Sequence, residues 1–203
     1  MPTPSTKHYD LSYFDTWYRQ RGIGDPKRLA RKVALAVATA EYHLERPIRT
    51  VLDIGCGEGV WRAPLLKLRP KIQYLGFDGS EYAITRYGRA RNLHLARFGD
   101  FALLRPCAPV DLLVCSDVLH YLPTRELDRG LPGLAELCGG VAFLETFTRE
   151  DGAVGDEHDF QNRPAAFYRK RFAALGFGAL GSHCWLSPRL RDNAVALEVA
   201  TAS

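Results

Sequence analysis

Nine residues constrain this chain more than any other stretch: Val51-Leu52-Asp53-Ile54-Gly55-Cys56-Gly57-Glu58-Gly59. An apolar strand pattern runs into an acid and three alternating glycines, and a helical pattern follows. Glycine enters backbone conformations closed to other residues and lets a ligand approach the main chain with no β-carbon in between. A helix opening directly afterwards aims free N–H groups and the positive end of its dipole at that ligand. The segment predicts a strand-to-helix binding turn of the nucleotide type.

Spacing then separates the ligand classes. A dinucleotide fingerprint needs G-x-G-x-x-G, but counting from Gly55 the sixth position is Val60, and the third glycine falls one place early, at Gly59. A phosphate-cradling loop ends in Gly-Lys-Ser/Thr, and Gly59-Val60-Trp61 has neither lysine nor hydroxyl. NAD, ATP and GTP are all disfavoured. The run Asp53-x-Gly55-x-Gly57-x-Gly59 resembles motif I of the class I S-adenosylmethionine-dependent methyltransferases, small-molecule type, in which this turn holds the methionine end of the cofactor. A ligand-free glycine turn is the plainer alternative.

The rest of the chain alternates in the way that resemblance requires. Asp25-Pro26 reads as N-cap and first residue of an amphipathic helix that ends before Pro47. Thr50–Ile54 is the first expected strand and Val60–Leu68 its helix. Ile72–Phe77 is the second strand, with Ser80 capping the next helix. The third strand, Leu93–Phe98, ends at Gly99-Asp100. Asp111–Cys115 is the fourth, a helix follows near Thr124–Cys138, and Val141–Thr146 is the fifth. Arg149–Arg163 is polar and reads as a loop or broken lid. Pro164–Leu175 is helical, and the β-rich segments Phe177–Leu186 and Asn193–Ala200 suggest an antiparallel hairpin. The expectation is an α/β, Rossmann-like, doubly wound, mainly parallel seven-stranded sheet with a C-terminal hairpin and helices on both faces. A single domain over residues 1–203 is expected, with 1–48 as a helical cap and 49–203 as the core.

Composition is consistent with an ordinary globular domain, at 46% hydrophobic and 25% charged residues. The five scattered cysteines include no C-x-x-C, so neither a disulfide framework nor a metal site is indicated. No stretch approaches the ~20 apolar residues of a membrane span, and no signal-peptide core is present, so a cytoplasmic protein is expected. The net charge of +4 comes from dispersed arginines, which argues against nucleic acid as a partner.

In open parallel sheets ligands bind beyond the carboxyl ends of the strands, so acids at those ends are the candidates. The resemblance implies that Asp53 holds the cofactor's ammonium or the loop itself, and that Gly55, Cys56 and Gly57 line the turn. It implies that Asp78, followed by Gly79, takes the ribose hydroxyls, and that Asp100 and Phe101 meet the adenine. Asp78 could instead cap the helix after it, and Gly99-Asp100 could be a plain turn. Ser116 and Asp117 would face the cleft, and His120 the acceptor, unless His120 is a buried structural histidine. Among the N-terminal aromatics Tyr9, Tyr13, Phe14, Trp17 and Tyr18, lid contacts fall to Tyr9, Tyr13 and Trp17, although packing onto the sheet would explain the same pattern.

The resemblance implies S-adenosylmethionine as methyl donor and S-adenosylhomocysteine as product, transferred in line to a small-molecule N or O acceptor. His120, Asp117, Glu145 and His158 are the candidate bases. The Asn/Asp-Pro-Pro-Tyr segment of base-amine and glutamine methyltransferases is absent, its place taken by Ser116-Asp117-Val118-Leu119. Two alternatives stay open: a non-catalytic cofactor-binding scaffold, and a tRNA or protein methyltransferase with an atypical segment after the fourth strand.

Overall fold

The computed structural model describes residues 10–16, 25–152 and 159–200. Tyr9, Trp17, Tyr18 and His158 lie outside the described residues. A short helix α1 (Leu11–Phe14) precedes α2 (Pro26–Leu44), which starts as expected, with the Asp25 carboxylate accepting from Lys27 N–H. The core then runs β1 (Thr50–Ile54), α3 (Arg62–Leu68), β2 (Gln73–Asp78), α4 (Glu81–Arg91), β3 (Leu93–Leu95), β4 (Val110–Ser116), α5 (Thr124–Leu137), β5 (Cys138–Glu145), α6 (Ala165–Ala174), β6 (Gly178–Gly181) and β7 (Cys184–Leu186).

The strands form one seven-stranded sheet in the order β3-β2-β1-β4-β5-β7-β6, parallel from β3 through β5 and antiparallel from β5 to β7 and β7 to β6. Strand order reverses between β1 and β4, which opens a crevice at their carboxyl ends. Strands buried on both faces read as nearly continuous apolar runs, and β4 is buried from Val110 to Cys115. Alternate residues feed two cores. Val51, Tyr74, Leu112, Val114, Val141 and Phe143 pack with α2 and α3, while Leu52, Leu113, Cys115, Ala142 and Leu144 pack with α5 and α6.

Two expectations need correction. The third strand stops at Leu95, and Phe98–Ala102 winds into a 3₁₀ turn. Phe98 and Phe101 drive this by turning into the core, where Phe101 meets Phe77 edge-on at 5.5 Å. The C-terminal hairpin is made entirely within Phe177–Leu186. Ser182 and His183 both take positive φ, 47° and 65°, as a two-residue hairpin turn demands. Asn193–Ala200 contributes only one bridge, Ala200 to Ala179.

Helix α5 comes unusually close to that 3₁₀ turn because Gly130 and Gly133 present no side chain there. A β-carbon on Gly133 would sit 1.8 Å from the Phe101 carbonyl oxygen, and one on Gly130 2.4 Å from that of Phe98. At the amino end of β4, Arg46 clamps Asp111 through two nitrogens at 3.0 and 2.7 Å, and Asp111 also accepts from Arg49 N–H. This pairing fixes the end of α2 to the start of β4.

Candidate cofactor and acceptor site

Strand alternation places the polar residues that matter on one face. Asp53, Asp78, Ser116 and Glu145 occupy the positions in register with the α2-facing core residues, at the carboxyl ends of β1, β2, β4 and β5. Between them runs the glycine turn. Gly55, Gly57 and Gly59 all have positive φ, 74°, 52° and 74°, which explains the alternating pattern. The Gly55 and Cys56 amides both donate to Phe77 O, pinning the turn to β2. A β-carbon on Gly55 would lie 2.3 Å from Val118 Cγ2, so the segment after β4 closes directly onto the turn.

Asp78 is partly buried and accepts from Gly57 N–H at 2.7 Å and Ser80 N–H at 2.8 Å. Each oxygen therefore keeps a lone pair, and the residue serves turn and helix start together. Burial pushes its carboxyl up despite those two donors. Asp53 is buried and takes the Tyr74 hydroxyl at 2.6 Å, a side-chain bond between β1 and β2 just before the turn. Among the described residues no lysine or arginine pairs with either acid. A rim of carboxylates lacking cations, beneath a backbone freed of β-carbons, suits a ligand that brings hydroxyls and positive charge.

Burial, reinforced by the negative charge of Asp78, pushes Asp53 up to about 7, with the Tyr74 hydrogen bond pulling the other way. A carboxyl raised in this way binds more protons folded than unfolded. Its contribution to stability is complete below its unfolded value of about 3.9 and is lost as pH rises towards 7. The ligand-free protein should lose more melting temperature between pH 5 and pH 8 than an Asp53→Asn variant does. Equal slopes in thermal melts of the two proteins would contradict this.

Other expected site residues fall differently. Asp100 is exposed in the 3₁₀ turn and accepts from Arg97 N–H at 2.8 Å, so it caps the turn instead of ending a strand. The Phe101 ring is fully buried in the α5 core and does not line the cleft. Gly79 is exposed beside Asp78, and Cys56 is buried, its thiol pushed up by burial and by the charges of Asp53 and Asp78. Tyr13 is half-buried in the short N-terminal helix, its amide on Asp10.

Ser116 donates to Glu145 at 2.5 Å, and Glu145 also pairs with Lys32 of α2 at 2.5 Å. Burial alone would raise the Glu145 carboxyl, but Lys32 and Ser116 outweigh it and hold it low. With both partners on it, Glu145 is a weaker base than a free carboxylate. Lys32 carried no signal in the sequence; its partner lies far along the chain and only the fold brings them together.

His120 is buried against Tyr121, Phe147 and Phe160. Its Nδ1 accepts from Phe147 N–H at 3.2 Å, which leaves the proton on Nε2, 3.2 Å from Asp117 Oδ1. Asp117, just past β4, keeps about a third of its side chain exposed (34%) and has a positive φ of 64°.

Comparison with known proteins agrees with this geometry. Residues 52–140 match the family model described as a methyltransferase domain. A trans-aconitate 2-methyltransferase from Deinococcus radiodurans is 34% identical over 79 residues, 39% of this chain and 30% of that protein. One from Azoarcus sp. is 32% identical over 74 residues, 36% and 29% of the two chains. The chain thus spans under a third of the length of these relatives. Streptomyces venezuelae DesVI superposes with a TM-score of 0.67 at 18% identity, covering 87% of this chain and 97% of that one. The magnesium protoporphyrin IX methyltransferase of Synechocystis, solved with bound S-adenosylhomocysteine, gives 0.59 at 22% identity, covering 83% and 86%. With its glycine turn, its strand order and this partial domain match, the chain has the fold of the class I S-adenosylmethionine-dependent methyltransferases and is similar to their methyltransferase domain over residues 52–140.

Proposed function

We propose that the protein is an enzyme that transfers a methyl group from S-adenosylmethionine to a nitrogen or oxygen of a small molecule. The observation carrying this reading is the Asp53–Gly57–Asp78 arrangement: a turn of positive-φ glycines whose Gly57 amide donates to Asp78, with the buried Asp53 on the strand leading into it, neither acid paired with a cation among the described residues, at the point where strand order reverses. Gly55 and Gly57 would let the methionyl end approach the main chain, and the free lone pairs of Asp78 would take the ribose hydroxyls. Asp53 would act mainly through the turn. Names among the relatives, which include trans-aconitate 2-methyltransferases, support a small-molecule acceptor.

When bound, the sulfonium supplies the activated methyl group, so the protein's contribution is orientation and exclusion of water. Val118 against Gly55 ties the donor turn to the acceptor segment, which favours in-line placement of the two. Titration calorimetry with S-adenosylhomocysteine tests the reading. Wild-type protein should bind it, and Asp78→Ala should weaken binding by about tenfold or more, the scale of a hydrogen bond to a charged group. Absence of heat with folded wild-type protein would overturn it.

A further inference from the structure

The acceptor side of the site is built around one carboxylate. Asp117 follows the last residue of β4 with a positive φ, a conformation costly for a residue with a β-carbon, and its N–H donates to Glu145 O at 3.0 Å. The strained backbone turns the side chain off the strand. His120 Nε2–H then donates to Oδ1, and among the described residues Oδ2 has no donor.

His120 itself is unsuited to be a base. Its one acceptor nitrogen is taken by Phe147 N–H and lies near the Thr146 hydroxyl, and three aromatic rings hem the imidazole in. Such a histidine orients its neighbour. Charge around Asp117 is also one-sided. Asp53 and Asp78 lie at the ends of neighbouring strands, and Lys32 is consumed by Glu145. The buried Arg163, behind the segment after β4, is spent on Leu122 O at 2.8 Å, Thr124 Oγ1 at 2.9 Å and the Phe167 ring. Among the described residues no lysine or arginine pairs with Asp117, whose one partner of this kind is His120.

We infer that Asp117 receives an amine as methyl acceptor, with His120 as its positioning residue. The inference rests on the methyltransferase reading and names its substrate class. The acceptor's ammonium gives one proton to Asp117, which later passes it to solvent. The freed nitrogen lone pair forms the N–CH₃ bond as the S–CH₃ bond breaks, its electron pair leaving on sulfur. The nitrogen keeps the charge as a methylated ammonium.

The experiment is transfer of labelled methyl to a metabolite panel sorted into amines, alcohols and phenols, and carboxylic acids. Label is expected in amines. Asp117→Asn should cut kcat/KM for the best amine by ~100-fold or more, the low end of acid–base catalysis, while S-adenosylhomocysteine binds within about twofold of wild type. His120→Gln, which keeps an N–H donor, should retain more activity than His120→Ala. Nitrogen NMR of the ligand-free protein should show His120 protonated at Nε2. Label confined to acids or alcohols, full activity in Asp117→Asn, or a proton on Nδ1 would overturn the proposal. Failure of wild-type protein to bind S-adenosylhomocysteine would instead overturn the donor reading beneath it.

Discussion

Replacing Gly133 by alanine should cost about 3 kcal/mol or more, at the upper end of overpacking, and lower the melting temperature by roughly 6–12 °C for a chain of this size. The β-carbon would arrive 1.8 Å from the Phe101 carbonyl oxygen and 2.8 Å from its carbon, so backbone must move. Neither side can yield cheaply. Leu131 and Leu134 hold α5 in the core, and the buried Phe98 and Phe101 anchor the turn beneath it. Gly152→Ala is the control. Its β-carbon meets nothing within 4 Å, leaving only the strain of its positive φ of 55°, a cost of about 1–2 kcal/mol. Thermal melts in which the two variants lose equal stability would show that α5 and the turn are not in tight contact.

The second large effect is expected at the turn itself. Gly55→Ala combines a positive φ of 74° with a β-carbon 2.3 Å from Val118 Cγ2. A side chain can move where a carbonyl cannot, so the fold should survive with a loss of about 1–3 kcal/mol. The displaced Val118 is next to Asp117, and the new methyl group also occupies the approach to the main chain. Binding of S-adenosylhomocysteine should fall by about 100-fold, the equivalent of ~2.7 kcal/mol. Calorimetry showing near-wild-type affinity in a folded variant would mean that no ligand approaches this part of the turn.

These two glycines also mark the boundary of what the sequence disclosed. The Gly55 turn was legible because three alternating glycines after Asp53 have a local cause, the positive φ at each. The first strand and the Asp25-Pro26 helix start were legible for the same kind of reason: cap, proline and apolar period are all local. Gly133 was not, since what it accommodates is a carbonyl on a different element. The 3₁₀ turn at Phe98–Ala102 was hidden by the largely alternating run Leu93-His94-Leu95-Ala96-Arg97-Phe98, which reads as one strand until packing decides which rings turn inward. Asp100 went with it. The hairpin carried no Asn-Gly or Asp-Gly signal, only Ser182-His183, and so its turn was overlooked.

At the site, strand ends were correctly located for Asp53, Asp78 and Asp117, but their partners were not. Tyr74 beneath Asp53, Lys32 on Glu145, and the Phe147 amide on His120 are tertiary contacts with no sequence spacing to announce them. That is why His120 could be nominated as a base. Only the hydrogen bond to its Nδ1 shows that its lone pair is taken.

Whether the glycine turn and Asp78 form the seat of the methyl donor would be seen directly in a crystal structure of the protein grown with S-adenosylhomocysteine. The ribose hydroxyls are expected on Asp78, the aminoacyl end against Gly55 and Gly57, and the sulfur on the side of Asp117. Ligand bound away from the β1 and β4 ends, or an Asp78 carboxylate that touches no part of it, would contradict the claim.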